Sequence, residues 1–189
     1  SPNPHKDNNT LISTLAELVK RDPDLPWNLD VLGGATERAW IPLQAYAQEM
    51  GIAERIRWHG YCDQERMTEV FAGALCLVST SLVESFAMVA VEAMARGCPP
   101  IVANCASMPE SVGDAGLLAT PGSKESFADA VLALATQREL RAELVRKGHK
   151  WVPKFTWSNC GREFHSLFQE LLSERGHSGR NSASRRAAA

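Results

Sequence analysis

Several absences narrow the field before any motif is read. The five cysteines, Cys62, Cys76, Cys98, Cys105 and Cys160, are scattered and odd in number, and no two have the two-residue spacing of a zinc or thiol redox site. Cys76 and Cys98 sit in apolar surroundings and read as small core residues, and a reduced, cytoplasmic setting fits the set. No apolar run approaches the roughly 20 residues that span a bilayer, and no signal peptide is visible. There is no initiator Met, so Ser1 is expected not to be the true start of the gene product. Twenty basic against 22 acidic residues leave a formal charge of −2, which gives no reason to expect nucleic acid as a partner. No Gly-x-Gly-x-x-Gly turn follows a strand, and Gly33-Gly34 does not supply one, so a dinucleotide-dependent oxidoreductase ranks low. The five histidines make no metal site and no cage of carboxylates is evident, so no metal is expected.

What is present is ordinary for a globular protein: 44% apolar and 22% charged residues in a chain of 189, enough for one well-buried domain and short for two. Leu11, Ile12, Leu15, Leu18 and Val19 have helical spacing over residues 10–20, with Asn9 or Thr10 as cap. Residues 29–32 read as a strand entering the Gly33-Gly34 turn, 41–50 as a helix closed by Gly51, and 55–59 as a strand ending at Gly60. Asp63 can cap a helix to Ala72. Residues 74–78 read as a fully buried strand, about 86–96 as a helix and 100–103 as a strand. A helical turn around Pro109, a strand at 116–119, a helix capped by Ser123, further helix to Lys150 and a last helix from Trp157 or Ser158 to Leu172 complete the domain, residues 1–173. Residues 174–189, rich in Gly, Ser, Arg and Ala, read as a disordered tail. Strands and helices alternate roughly every 20–25 residues. This predicts an α/β fold with a parallel, Rossmann-like sheet and helices on both faces, and a ligand at the carboxyl ends of the strands.

One stretch concentrates the chemistry. Residues 79–100 leave a buried strand through Ser79, Thr80 and Ser81, reach Glu84, and enter a helix that carries Glu92 and closes at Gly97-Cys98-Pro99-Pro100. A strand, a loop and a helix start make an anion site, because the first helical amides lack internal partners. Two acids beside it suit a ligand with both phosphates and hydroxyls, which describes a nucleotide sugar.

At this point the residues match a family. Glu84 and Glu92, with Ala93-Met94-Ala95-Arg96-Gly97 following, resemble the donor-binding motif of the retaining "group 1" glycosyltransferases of GT-B type. Asn3-Pro4-His5-Lys6-Asp7 is similar to the loop after the first strand of that family's carboxy-terminal domain. Arg55-Ile56-Arg57-Trp58-His59-Gly60-Tyr61, the segment 108–118 and Phe155-Thr156-Trp157 also fit, so the resemblance covers roughly residues 1–172. It implies the second, donor-binding domain of the GT-B fold without its first strand, and with the amino-terminal acceptor domain missing. It also implies a nucleoside diphosphate sugar as substrate rather than a cofactor. Peripheral association with a membrane through the missing half is a further partner expectation.

Residue by residue, the resemblance implies that Glu84 meets sugar hydroxyls, Glu92 the ribose hydroxyls and Lys6 the diphosphate, where a cation stabilises the leaving group. Ser85, Phe86, Ala87 and Met88 would offer backbone amides to phosphate or sugar. Many members carry glycine at positions 85 and 87, and Ala87 is expected to put a methyl group where the ligand comes closest. Gly60 and Tyr61 sit where the base is recognised, although Tyr61 could equally pack on a strand edge. His5 and His59 could touch phosphate or be solvated loop residues. Ser107 and Glu110 flank Pro109, with capping as the simple explanation. Trp151, Phe155 and Trp157 read as anchors rather than ligand stackers. Glu84 and Glu92 as the carboxylate pair of a hydrolase fit the context poorly, since Glu92 lies inside a helix. The rival from another class is a nucleotide-binding module without catalysis. The chain alone is expected to bind nucleotide without appreciable transfer.

Overall fold

The structure, a computed structural model, describes residues 3–33 and 36–186, with side chains as far as residue 173 and without that of residue 37. Gly34 of the expected Gly33-Gly34 turn lies outside the described residues. The chain divides into two compact units, Ser1–Val152 and Pro153–Ala189, so the division falls ahead of the final helix.

In the first unit the order is α1 (Asn8–Arg21), β1 (Leu29–Leu32), α2 (Glu37–Glu49), β2 (Ile56–Gly60), α3 (Gln64–Gly73), β3 (Leu77–Ser79), α4 (Met88–Ala95), β4 (Pro100–Ala103), α5 (Met108–Val112), β5 (Leu117–Ala119), α6 (Lys124–Thr136) and α7 (Arg138–Trp151). The expected caps at Asp63 and Ser123 are in place, accepting from the Arg66 and Ser126 amides. The cap of α1 is neither Asn9 nor Thr10 but Asp7, which accepts from Thr10 N. The helix starts at Asn8, so the residue just ahead of it is Asp7, whose carboxylate lies 3.4 Å from the Thr10 amide. Helix α2 begins before Ile41 and holds Pro42 inside it. The missing N–H of Pro42 leaves the Arg38 carbonyl without the usual intrahelical bond.

All paired strands are parallel, as alternation with helices requires. They form two sheets rather than one, β1-β2 and β3-β4-β5. Strand β4 is buried throughout, whereas β3, expected to be fully buried, is half-exposed along its length. The reason is an apolar slot of about 770 Å³ between β1 and β3, lined by Leu29 and Val31 on one side, Leu77 on the other, and Leu15, Phe71 and Val131 from the helices. Strand β3 also starts later than expected, because the Ala74 amide still bonds Phe71 O at the end of α3 and the chain needs three residues to turn into the sheet. The core on the other flank is closed: Ile12 of α1, Ile101 of β4 and Phe127 and Leu134 of α6 are fully buried together. Burial pushes the Cys76 and Cys98 thiols up to about 12, so neither is a nucleophile near neutral pH.

The second unit is dominated by α8 (Trp157–Arg186), which continues past Leu172. Phe164, Leu167, Phe168 and Leu171 form an exposed apolar stripe at helical spacing. Phe155 and Trp157 are exposed as well.

Candidate functional site

The site is assembled where β3 ends. Thr80, buried, places its hydroxyl 2.9 Å from both the Lys6 and Asp7 carbonyl oxygens, sharing one proton between them. The Leu82 amide donates to His5 O at 2.8 Å. These bonds fasten the short 3₁₀ turn Pro4–Lys6 to a loop more than seventy residues away. They bring Lys6 Nζ into an ion pair with Glu84 Oε1, both side chains half-buried. The two residues expected to act on the donor are therefore neighbours. Each is the other's counter-charge in the structure.

Beyond Glu84 the loop is tied to α5. Ser107 Oγ donates to Glu84 O at 2.7 Å, and the Ala87 amide donates to Ser111 Oγ at 3.1 Å. This corrects the reading of Ala87. Its residue is 3% exposed, and its methyl group packs with Ala90, Val102, Met108 and Val112 rather than facing a ligand. The Met88 amide donates to Phe86 O at 3.0 Å. Of the four residues expected to offer amides, Ala87 and Met88 thus have theirs paired within the protein. Ser85 is exposed, Phe86 half-buried and Met88 exposed. Helix α4 begins only at Met88, two residues later than expected, because Ala87 has ψ of 67° and is not helical.

Glu92 lies one turn into α4, half-buried. Arg96 orients this helix by donating to Glu92 O at 2.9 Å, to Thr68 Oγ1 at 3.0 Å and to Gln64 Oε1 at 2.6 Å on α3. Gly60 ends β2 at φ 65°, and its carbonyl accepts from the Gly33 amide at 2.8 Å. Tyr61 is 82% exposed, which removes the alternative that it packs on a strand edge. Trp151 is an anchor, its indole N–H donating to Ser111 O at 3.0 Å. Among the described residues no three His, Cys, Asp or Glu side chains converge as metal ligands do.

His59 belongs to a different cluster. Its Nε2 lies 2.7 Å from Asp30 Oδ1, while Arg57 donates to both Asp30 oxygens at 2.7 Å across the β1-β2 pair. The fork from Arg57, and then His59, hold the Asp30 carboxyl at about 2 against an ordinary 3.8. A lowered folded-state value means stability that is present above the unfolded value and is lost as pH falls through the folded one. Because Arg57 is largely exposed, Asp30→Asn is expected to cost only roughly 1–2 kcal/mol at neutral pH. That deficit should be constant down to about pH 5 and shrink below about pH 4. Urea unfolding of both proteins across this range checks it, and a deficit that persists unchanged near pH 3 contradicts the assignment.

The sequence signature of the glycosyl transferases group 1 family matches residues 2–151. The chain belongs to that family. The D-inositol 3-phosphate glycosyltransferase of Corynebacterium glutamicum (strain R) is 30% identical over 173 residues, covering 89% of this chain and 41% of the relative. Escherichia coli O-antigen chain mannosyltransferase B is 33% identical over 116 residues, 61% of this chain and 30% of the relative. Among solved structures, the sucrose-phosphate synthase of Thermosynechococcus elongatus superposes with a TM-score of 0.76 at 23% identity, over 92% of this chain and 44% of that one. Anabaena HepE in complex with UDP and glucose gives 0.77 at 20% identity, over 89% and 46%. This group 1 chain therefore has the fold of one part of a GT-B glycosyltransferase. It spans about two-fifths of the length of the first of these curated relatives.

Proposed function

We propose that this chain binds a nucleoside diphosphate sugar and supplies the donor half of a retaining hexosyltransferase. The observation that carries the reading is the Lys6–Glu84 pair at the carboxyl end of β3, beside the start of α4. A diphosphate entering there competes with Glu84 for Lys6. Glu84, released, accepts hydrogen bonds from sugar hydroxyls, and Glu92 does the same for the ribose. Ser85 and Phe86 face the ligand, and Gly60 and Tyr61 meet the base. When the bond from the anomeric carbon to the phosphate oxygen breaks, Lys6 stabilises the charge gathering on the departing diphosphate, and the acceptor hydroxyl takes its place on the sugar, its proton passing to the departing phosphate oxygen. No metal is needed for this, since Lys6 supplies the positive charge. Family membership supports retention at the anomeric carbon. The acceptor is held by a further domain, which is also where contact with a membrane surface would arise, and a cytoplasmic setting fits the five free cysteines.

Calorimetric titration with UDP, GDP and ADP tests the reading. One of the three is expected to bind, and Glu92→Ala is expected to weaken it by about tenfold, the value of one charge-assisted hydrogen bond. Absence of binding to a folded sample, or indifference to Glu92→Ala, removes the donor site.

A further inference from the structure

Four residues, Glu84 to Ala87, hang between two fixed points. At one end the Glu84 carbonyl accepts from Ser107 Oγ at 2.7 Å, and at the other the Ala87 amide donates to Ser111 Oγ at 3.1 Å. Ser107, just ahead of α5, and Ser111 within it stand four residues and about one helical turn apart, so their hydroxyls face the same way. They are also coupled, since Ser111 Oγ donates its proton to Ser107 O at 2.9 Å. Ordinary roles do not account for this. Ser107 is the N-cap residue of α5 but makes no side-chain capping bond. A helical serine often bonds the carbonyl one turn back, which explains the proton of Ser111 but not the lone pair that takes the Ala87 amide. Ser111 is 0% exposed and Ala87 nearly so, so water has little access to substitute for either partner. The carbonyl of Ser111 is held in turn by the Trp151 indole, which seats the clamp on α7.

We infer that Ser107 and Ser111 are positioning residues, a two-point clamp that sets where Glu84, Ser85 and Phe86 stand and thereby governs how the sugar end of the donor is recognised. This rests on the donor-site reading above. The clamp holds only the loop between the strand and the helix. Lys6 is fixed separately by Thr80 and Leu82. Loss of the clamp should therefore be felt by the sugar and spare the nucleotide.

Hydrogen exchange and paired titrations with UDP and UDP-glucose on the full chain test it. In Ser111→Ala, the amides of residues 85–88 are expected to exchange about tenfold faster, the Ala87 N–H having lost its buried partner. In Ser107→Ala, affinity for UDP-glucose should fall about tenfold while affinity for UDP stays within about twofold. Ser107→Thr, which keeps the hydroxyl, should restore the difference. Equal loss of both ligands, or no loss of either, overturns the clamp as a sugar-positioning device. Where GDP or ADP proves to be the nucleotide bound, that nucleotide and its glucose conjugate replace the uridine pair; if the native chain binds none of the three nucleotides, the donor-site reading fails on its own, and unchanged exchange at 85–88 in Ser111→Ala still overturns the clamp.

Discussion

A Glu84→Gln chain is expected to bind UDP up to about fivefold more tightly than the native chain, and yet to lose most of the extra affinity that a sugar adds. The opposite signs follow from the ion pair. In the native protein Lys6 is paired with a half-buried carboxylate, which a diphosphate bound as proposed would have to displace. Exposed or partly exposed pairs are worth at most about 1 kcal/mol, so neutralising Glu84 releases no more than that to the nucleotide. The amide of glutamine accepts fewer hydroxyl bonds than a carboxylate, so the sugar is held less well. Lys6→Ala should behave differently. It removes the cation itself, and with it a charge-assisted contact of about 1.5–3 kcal/mol, a loss of roughly one to two orders of magnitude for UDP and UDP-glucose alike. Calorimetry on the three proteins with the two ligands checks all of this. Should Glu84→Gln weaken UDP, the pair is not the competitor proposed. Should Lys6→Ala leave UDP untouched, the phosphates lie elsewhere.

Gly113→Ala should be among the most damaging single methyl groups that can be added to the first unit. Gly113 has φ 55° and ψ −130°, a combination outside the left-handed helical well and costly for any residue with a Cβ. A Cβ there would also stand 2.5 Å from Trp151 Cζ2. The ring has little room to retreat, because its indole N–H is bonded to Ser111 O and its face packs near Val91, Met94 and Ala115. Strain and overpacking together suggest about 3–5 kcal/mol, or a fall in Tm of roughly 10 °C or more. Thermal unfolding followed by tryptophan fluorescence measures it, and a Tm within about 2 °C of the native value would falsify the packing argument.

Much of the fold could be read from periodicity alone. The apolar spacing of Leu11, Ile12, Leu15 and Leu18 is that of a helix laid on a core, and β4, apolar at every position, is buried at every position. The strand-helix alternation predicted parallel pairing, and every pair is parallel. What failed was local geometry that no pattern of apolar residues encodes. Helix α2 was expected from residue 41 and begins at Glu37. The division into two sheets depends on which strands lie side by side, which is a property of the whole chain.

In the site, Lys6 and Glu84 were picked out by motif, and the structure joins them. Ala87 was expected to turn its methyl group toward the ligand because many members of the family carry glycine there, whereas in the structure that methyl group is buried against Ala90, Val102, Met108 and Val112. Ser107 invited capping, the usual role of a serine there, and only the distance to Glu84 O revealed another. The four-residue spacing of Ser107 and Ser111 beside Pro109 was a signal available beforehand.

The slot between β1 and β3 has a consequence for how the chain behaves in company. Among the described residues neither strand is paired with another strand on that side, so each presents an open edge along the apolar slot. Such an edge is a template, and it accepts any extended segment whose apolar side chains alternate to match. Because the flanking strands are parallel, the natural guest is a single strand running with them, held by hydrogen bonds on both sides at once. An edge left open in this way offers the same seat to an extended segment of a second copy of the chain.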